Sequence, residues 1–285
     1  MTTAVLTLVH GRHDHLANQR RSLAASDRVP DLHVVVAMDD AAIRSVTGAH
    51  PVPGCRTLVV DVNTTPEGLP LAAARNLAAT TATEAGADVL VLLDVDCIAE
   101  PELVGTYTDA LAAHPVGDTP ALWCGVTGRL RETDPPAAYP VEDLPALRAL
   151  SDPAPGRPVP TPGEVVPEPD LTRFWSLNFA MTPAAWRTVG GFDEAYVGYG
   201  GEDTDFAQRL GAAGGRLLWL GGAVAHHQWH ESHSPPWDKV ADVVRNGRVF
   251  AERWGWWPME GWLEQFASAG LVRRDDAGGW VLVAG

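Results

Sequence analysis

Lysine is almost missing: Lys239 is the only one, and every other cation is an arginine. Positive charge as a whole is scarce, with 21 Lys and Arg against 36 Asp and Glu, for a formal net charge of −15. So acidic a chain cannot neutralise a phosphate backbone and release its counterions, which argues against nucleic acid as a main partner. Cysteine is scarce too. Cys55, Cys97 and Cys124 are odd in number and lack metal-like spacing, so they read as idle thiols in a reducing compartment. Long apolar runs are absent. The most apolar stretch, Val89 to Leu93, meets Asp94 and Asp96 at once and is far too short to cross a bilayer. Met1 to Arg21 has no cationic segment followed by an apolar core, so no signal peptide is expected, and a soluble cytoplasmic protein is the default expectation.

What is present is globular. The 285 residues, 46% hydrophobic and 20% charged, suit one large α/β domain or two closely fused lobes. Short β-rich runs at 4–9, 32–37, 57–62 and 88–93 alternate with helical patterns, including an Ala-rich one over 71–85 with Gly86 as a stop. Strands this apolar predict a mostly parallel, Rossmann-like sheet flanked by helices. In such sheets ligands bind at the carboxyl ends of the strands, where His10-Gly11-Arg12, Asp39-Asp40 and Asp94-Val95-Asp96 fall. From Arg131 to Asp170 prolines recur, which predicts a surface loop or a mobile flap. Residues 174–181 then read as a strand, Thr182-Pro183 as a helix start, and 216–220 as another strand. The tail from 236 to 285 reads as a helical, Trp-rich extension of a domain spanning 1–235.

Three constellations could carry chemistry. Asp94 and Asp96, two apart on an extended chain, project to one side and form an oxygen clamp suited to Mg²⁺ or Mn²⁺ with a diphosphate; a solvated strand end is the plain alternative. His226, His227, His230 and His233 lie within eight residues, without the cysteines of a closed zinc site, so one or two of them completing a divalent-metal site is favoured. Gly200-Gly201-Glu202-Asp203-Thr204-Asp205 frees the backbone and then places acids in a first helical turn. They either complement the helix dipole or supply a general base facing a sugar hydroxyl.

The segment from Gly190 to Leu210, with its Tyr199-Gly200-Gly201-Glu202-Asp203 core, resembles the acceptor-side motif of GT-A glycosyltransferases and is similar to a galactosyltransferase C-terminal region. The loop from His10 to Leu16, Asp39-Asp40, Ala74-Arg75-Asn76 and Asp94-Val95-Asp96 resemble the nucleotide-binding half of family 2 glycosyltransferases. The similarity runs from about Ala4 to His233. It implies a GT-A fold and transfer of a sugar, with inversion, from a nucleotide-diphosphate donor, a UDP-sugar foremost, to a hydroxylated acceptor. By the same resemblance Arg12, Asp39, Asp40, Arg75 and Asp94 bind the nucleotide sugar. Asp96 and His230, with His227, hold Mn²⁺ or Mg²⁺. Glu202 binds the acceptor and Asp203 is the base. Tyr199, Gly200, Gly201 and Trp175 line the acceptor side, and Trp229 and Trp237 are further stacking candidates.

Three rivals are weaker. A sugar-1-phosphate nucleotidylyltransferase usually opens with a glycine-rich phosphate loop, and His10-Gly11-Arg12 has one glycine. A metal-dependent hydrolase leaves the Gly-Gly-Glu-Asp loop unexplained. A non-catalytic sugar-binding protein of the same fold is expected to lose Asp96 or Asp203, and both are present.

Overall fold

A computed structural model of the chain describes residues 1–114 and 119–283. Its first half alternates strand and helix: β1 (Thr3–Val9), α1 (His13–Ala24), β2 (Leu32–Met38), α2 (Ile43–Ala49), β3 (Arg56–Val62), α3 (Leu71–Glu84) and β4 (Val89–Leu93). The apolar runs become buried strands; all five residues of β4 are buried. The Ala-rich pattern becomes α3. Its alanines at 72, 74, 78, 79 and 82 are buried, and such small side chains let the helix lie close on the sheet.

The sequence pattern assigns no element to 97–130, yet this stretch holds β5 (Cys97–Ala99), α4 (Leu103–Ala113) and β6 (Ala121–Leu130). The Pro-rich segment is also more structured than a loop or flap. It contains α5 (Leu144–Ala149), β7 (Ser151–Pro153), which pairs with the end of β6, and β8 (Val165–Glu168), which pairs with the later strand that begins at Arg216. Proline is tolerated on these short flanking strands because part of their backbone needs no ladder partner. The following strand is shorter than expected. Only Asn178–Met181 is β9, because Leu177 takes a left-handed φ of 47° and residues 174–177 turn away. Next come α6 (Pro183–Val189), capped by Thr182, α7 (Glu202–Ala212) and β10 (Arg216–His227).

The ten-stranded sheet runs β3-β2-β1-β4-β9-β6-β10-β5, with β7 and β8 beside β6 and β10. Strands β1, β2, β3, β4, β6 and β10 point one way, and β5, β7, β8 and β9 the other. The carboxyl ends of the parallel set therefore open on one edge. The tail is helical only in part. After α8 (Val240–Trp254) and α9 (Glu260–Ser268) it closes with a hairpin of β11 (Val272–Arg274) and β12 (Trp280–Leu282). It buries a cluster of its own: Val243, Val244, Leu263, Phe266, Val272 and Trp280. No helix among the described residues is long and apolar enough to cross a membrane.

Candidate active site

The loop after β1 enters the cleft through two left-handed residues, Gly11 (φ 60°) and Arg12 (φ 49°). Asp40 braces it from the end of β2, accepting from the Gly11 amide and pairing with His13 Nε2, both at 2.8 Å. Burial opposes the charge on Asp40, but these bonds outweigh it and hold the carboxyl below its ordinary value. Asp39, itself at φ 47°, is exposed and accepts from the Thr64 hydroxyl (2.5 Å) and amide (2.6 Å), which lower its pKa. The structure thus separates the pair: Asp40 shapes the loop, and Asp39 faces solvent at the strand end.

Asp96 stands at the centre of the acidic side. The ligating atoms of Asp96, His227 and His230 lie within 4.8 Å of one another. His227 Nε2 is 3.5 Å from Asp96 Oδ1, and His230 Nε2 is 3.6 Å from Oδ2. Asp96 Oδ1 is buried and has no hydrogen-bond partner. A carboxylate flanked by two imidazoles, with one of its oxygens orphaned, fits a divalent cation, since unsatisfied buried acceptors are costly. Burial lowers the pKa of His230, favouring the neutral, ligating form. The other two histidines go elsewhere. His226 is buried between Glu100 (2.8 Å) and Ser151 (2.8 Å), and His233 is exposed near Glu231. Arg12 completes this side, with one guanidinium nitrogen 3.0 Å from Asp96 Oδ2.

Sequence reasoning missed the residues that hold this centre. Gln228, fully buried between the histidines, donates its amide to the Asp96 carbonyl (2.6 Å) and its side chain to the His15 carbonyl (3.1 Å). Asn18 donates to Gln228 Oε1 (2.8 Å), and Gln19 to the Asp94 carbonyl (2.8 Å). The only signal was a polar pair, Asn18-Gln19, inside an otherwise amphipathic α1.

Asp94 is buried within reach of four charged or ionisable neighbours, Arg75, Asp96, Asp203 and His227. Burial raises its pKa to about 6, against the pull of Arg75. Arg75 is buried under the acidic loop. It reaches Glu202 at 3.4 Å and Asp203 at 3.6 Å, with its guanidinium 4.8 Å from the Phe192 ring centroid. Burial works against its charge, but Asp203, Asp94 and Glu202 more than offset it. Glu202 is the more enclosed of the two loop acids, with 10% of its side chain exposed against 22% for Asp203. Burial, and then the neighbouring Asp203 charge, push Glu202 up to about 7. Asp203 is oriented by Ser176, which donates both its amide (3.0 Å) and its hydroxyl. Asp205, the third acid, is fully buried and bound by Arg209, Arg253 and Trp254, so it belongs to the framework.

Gly200 and Gly201 both sit at φ near 90°, and a Cβ would meet Met259 Sδ at 2.8 Å or the Tyr196 ring at 3.1 Å, so the turn needs glycine twice. Tyr199 is exposed and stacks with Trp262, ring centroids 6.1 Å apart. Trp175 is exposed beside Ser176. Arg157, from the Pro-rich segment, lies 5.0 Å from its ring centroid and donates to its carbonyl. Trp229 and Trp237 are also exposed.

A family model described as the N-terminal domain of galactosyltransferase matches residues 166–231, the segment carrying Ser176, the acidic loop and both clustered histidines. The S. aureus TarS 1–349 structure superposes with a TM-score of 0.56 at 18% identity, over 88% of this chain and 65% of that one. GalNAc-T7, solved with UDP, GalNAc and Mn²⁺, gives a TM-score of 0.55 at 16% identity, over 94% and 57%. This is a GT-A glycosyltransferase fold. Among curated proteins, the GT-A chain described here is 33% identical over 184 residues to validoxylamine A glucosyltransferase of Streptomyces hygroscopicus subsp. jinggangensis (strain 5008). That match covers 58% of this chain and 42% of the relative. The chain spans less than half the length of the curated relatives it matches.

Proposed function

We propose that this GT-A chain transfers a sugar from a nucleotide-diphosphate donor, a UDP-sugar foremost, to a hydroxyl acceptor, in one inverting displacement. The observation that carries this reading is the shared cleft. Buried Asp94 feels the charges of Asp96 and His227, members of the Asp96–His227–His230 cluster, and also those of Arg75 and the Ser176-held Asp203, so the two acidic centres adjoin one carboxylate.

Asp96, His230 and His227 would hold Mn²⁺ or Mg²⁺. Two imidazoles beside one carboxylate favour Mn²⁺ of the two. Such an ion would supply positive charge to offset that of a diphosphate leaving group. Arg12 adds a second cation there. Its ion pair to Asp96 is 36% exposed on the Arg side and worth about 0–1 kcal/mol, so Arg12 is readily released toward a phosphate. Asp39 is the free acceptor for the base or ribose, while Asp40 keeps the loop in shape. Arg75 and Asp94 form the charged floor beneath the donor sugar. Asp203 takes the acceptor proton: it is the more accessible loop acid, and Ser176 and Arg75 fix its direction while leaving lone pairs free. Glu202, with its raised pKa, serves as the hydrogen-bonding partner of the acceptor. Tyr199 and Trp175 offer flat faces for the acceptor ring.

The reading is tested by nucleotide release. UDP-glucose, UDP-GlcNAc and GDP-mannose are each incubated with Mn²⁺, with Mg²⁺ and with EDTA, with and without validoxylamine A as acceptor. Release with at least one donor, dependent on metal and faster with acceptor, is expected, and proton NMR of the product should show inversion at the anomeric carbon. No release from any donor, or full release in EDTA, contradicts the proposal.

A further inference from the structure

The tail is the part of the chain that the proposed chemistry leaves without a task, yet it makes dense polar contact with the acidic loop. Between Val197 and Gly201 the backbone repeatedly takes left-handed values, so its carbonyls cannot enter a regular ladder and need donors from elsewhere. Asn246, from the middle of α8 and fully buried, supplies them. Its amide nitrogen lies 3.0 Å from the Val197 carbonyl, 3.3 Å from that of Tyr199 and 2.9 Å from that of Gly200. Arg245 adds a bond to the Val197 carbonyl at 2.6 Å. One helical turn after the loop, Arg253 and Trp254 bind Asp205 at 2.7 and 2.9 Å. Met259 packs on Gly200, and Trp262 stacks on Tyr199.

We infer that Asn246 is a positioning residue for the acceptor loop, so that α8 and the tail behind it set where Glu202 and Asp203 stand. This inference rests on the proposed transferase reading. It goes beyond it, because it assigns a catalytic consequence to a residue outside the cleft. A side chain bonded to three carbonyls of one loop fixes where that loop stands, and displacing a catalytic group by about 1 Å costs up to about 10²-fold in rate.

The test compares Asn246→Ala with wild type in Mn²⁺-dependent hydrolysis of UDP-glucose, UDP-GlcNAc and GDP-mannose. It is paired with calorimetric binding of UDP with Mn²⁺ and hydrogen exchange of the 197–203 amides. The expected result is a kcat lower by about 10- to 100-fold, KM for the donor and UDP affinity within about twofold, and faster exchange confined to the loop. Arg245→Met, at a partly exposed position, removes the neighbouring bond without opening the core. It should shift kcat in the same direction by a smaller factor, which keeps the inference testable if Asn246→Ala does not fold. Unchanged kcat in the folded variants overturns the inference, and so does a parallel loss of UDP affinity, which marks general damage. If wild type hydrolyses none of the three donors, the transferase reading itself fails, and the inference falls with it.

Discussion

Glu202 is the loop carboxylate whose surroundings most oppose its charge. Burial and Asp203 raise its pKa from 4.5 to about 7 in the folded protein. Between those values the folded chain keeps a proton that the unfolded chain has lost, so the group's contribution to stability is full below about pH 4.5 and is lost as pH rises through about 7. Glu202→Gln cannot ionise. Its melting temperature, measured by calorimetry without metal, should gain on wild type as pH rises from 5 to 8; a constant offset contradicts the raised pKa. Asp203 makes a different prediction. Asp203→Asn keeps the shape and cannot take a proton, so donor turnover should fall by about 10²–10⁴-fold while UDP binding stays nearly constant. Glu202→Gln should instead raise the acceptor KM more than the donor KM. If Glu202→Gln is dead and Asp203→Asn active, the two roles are exchanged.

At the scale of elements, the end of β10 and the turn after it carry the proposed metal ligands His227 and His230, and Gln228 fastens that turn. Gln228→Ala leaves Asn18 Nδ2 without one of its buried acceptors and loosens the spacing of His227 and His230. Second-layer supports of this kind are worth about 10- to 100-fold in metal affinity, so Mn²⁺ binding measured by calorimetry should weaken by that order with the ligands themselves intact. Unchanged Mn²⁺ affinity would show that the turn holds itself. The proposed ligands were legible in the sequence and the residue that fastens them was not, for one reason. Asp94 and Asp96 stand out because they end an apolar strand, and the histidines because they crowd one another. Asn18, Gln19 and Gln228 look like ordinary surface polar residues, and only the fold buries them. The same holds for the strands. β1, β2, β3 and β4 announce themselves by apolar runs, whereas β7 and β8 exist only because β6 and β10 offer edges to proline-rich segments. β9 begins late because Leu177, at a left-handed φ, turns the residues before it out of the sheet. For the pairing of His227 with Asp96, 131 positions earlier, the resemblance supplied what local patterning could not.

The whole molecule is an acidic sheet edge whose charge is organised around a few arginines. Arg12 faces Asp96, Arg75 lies beneath Glu202 and Asp203, and Arg253 ties the tail to Asp193 and Asp205. A diphosphate entering so negative a cleft needs added positive charge, which is why the proposed metal and the transfer chemistry stand or fall together. The most direct measurement is nucleotide release from the donor that wild type uses, titrated with Mn²⁺, for wild type, Asp96→Ala and His230→Ala. The account predicts saturable Mn²⁺ activation in wild type, its loss in both variants, and melting temperatures close to wild type in the absence of metal. Release that is equally fast in EDTA, or that survives in both variants, contradicts it.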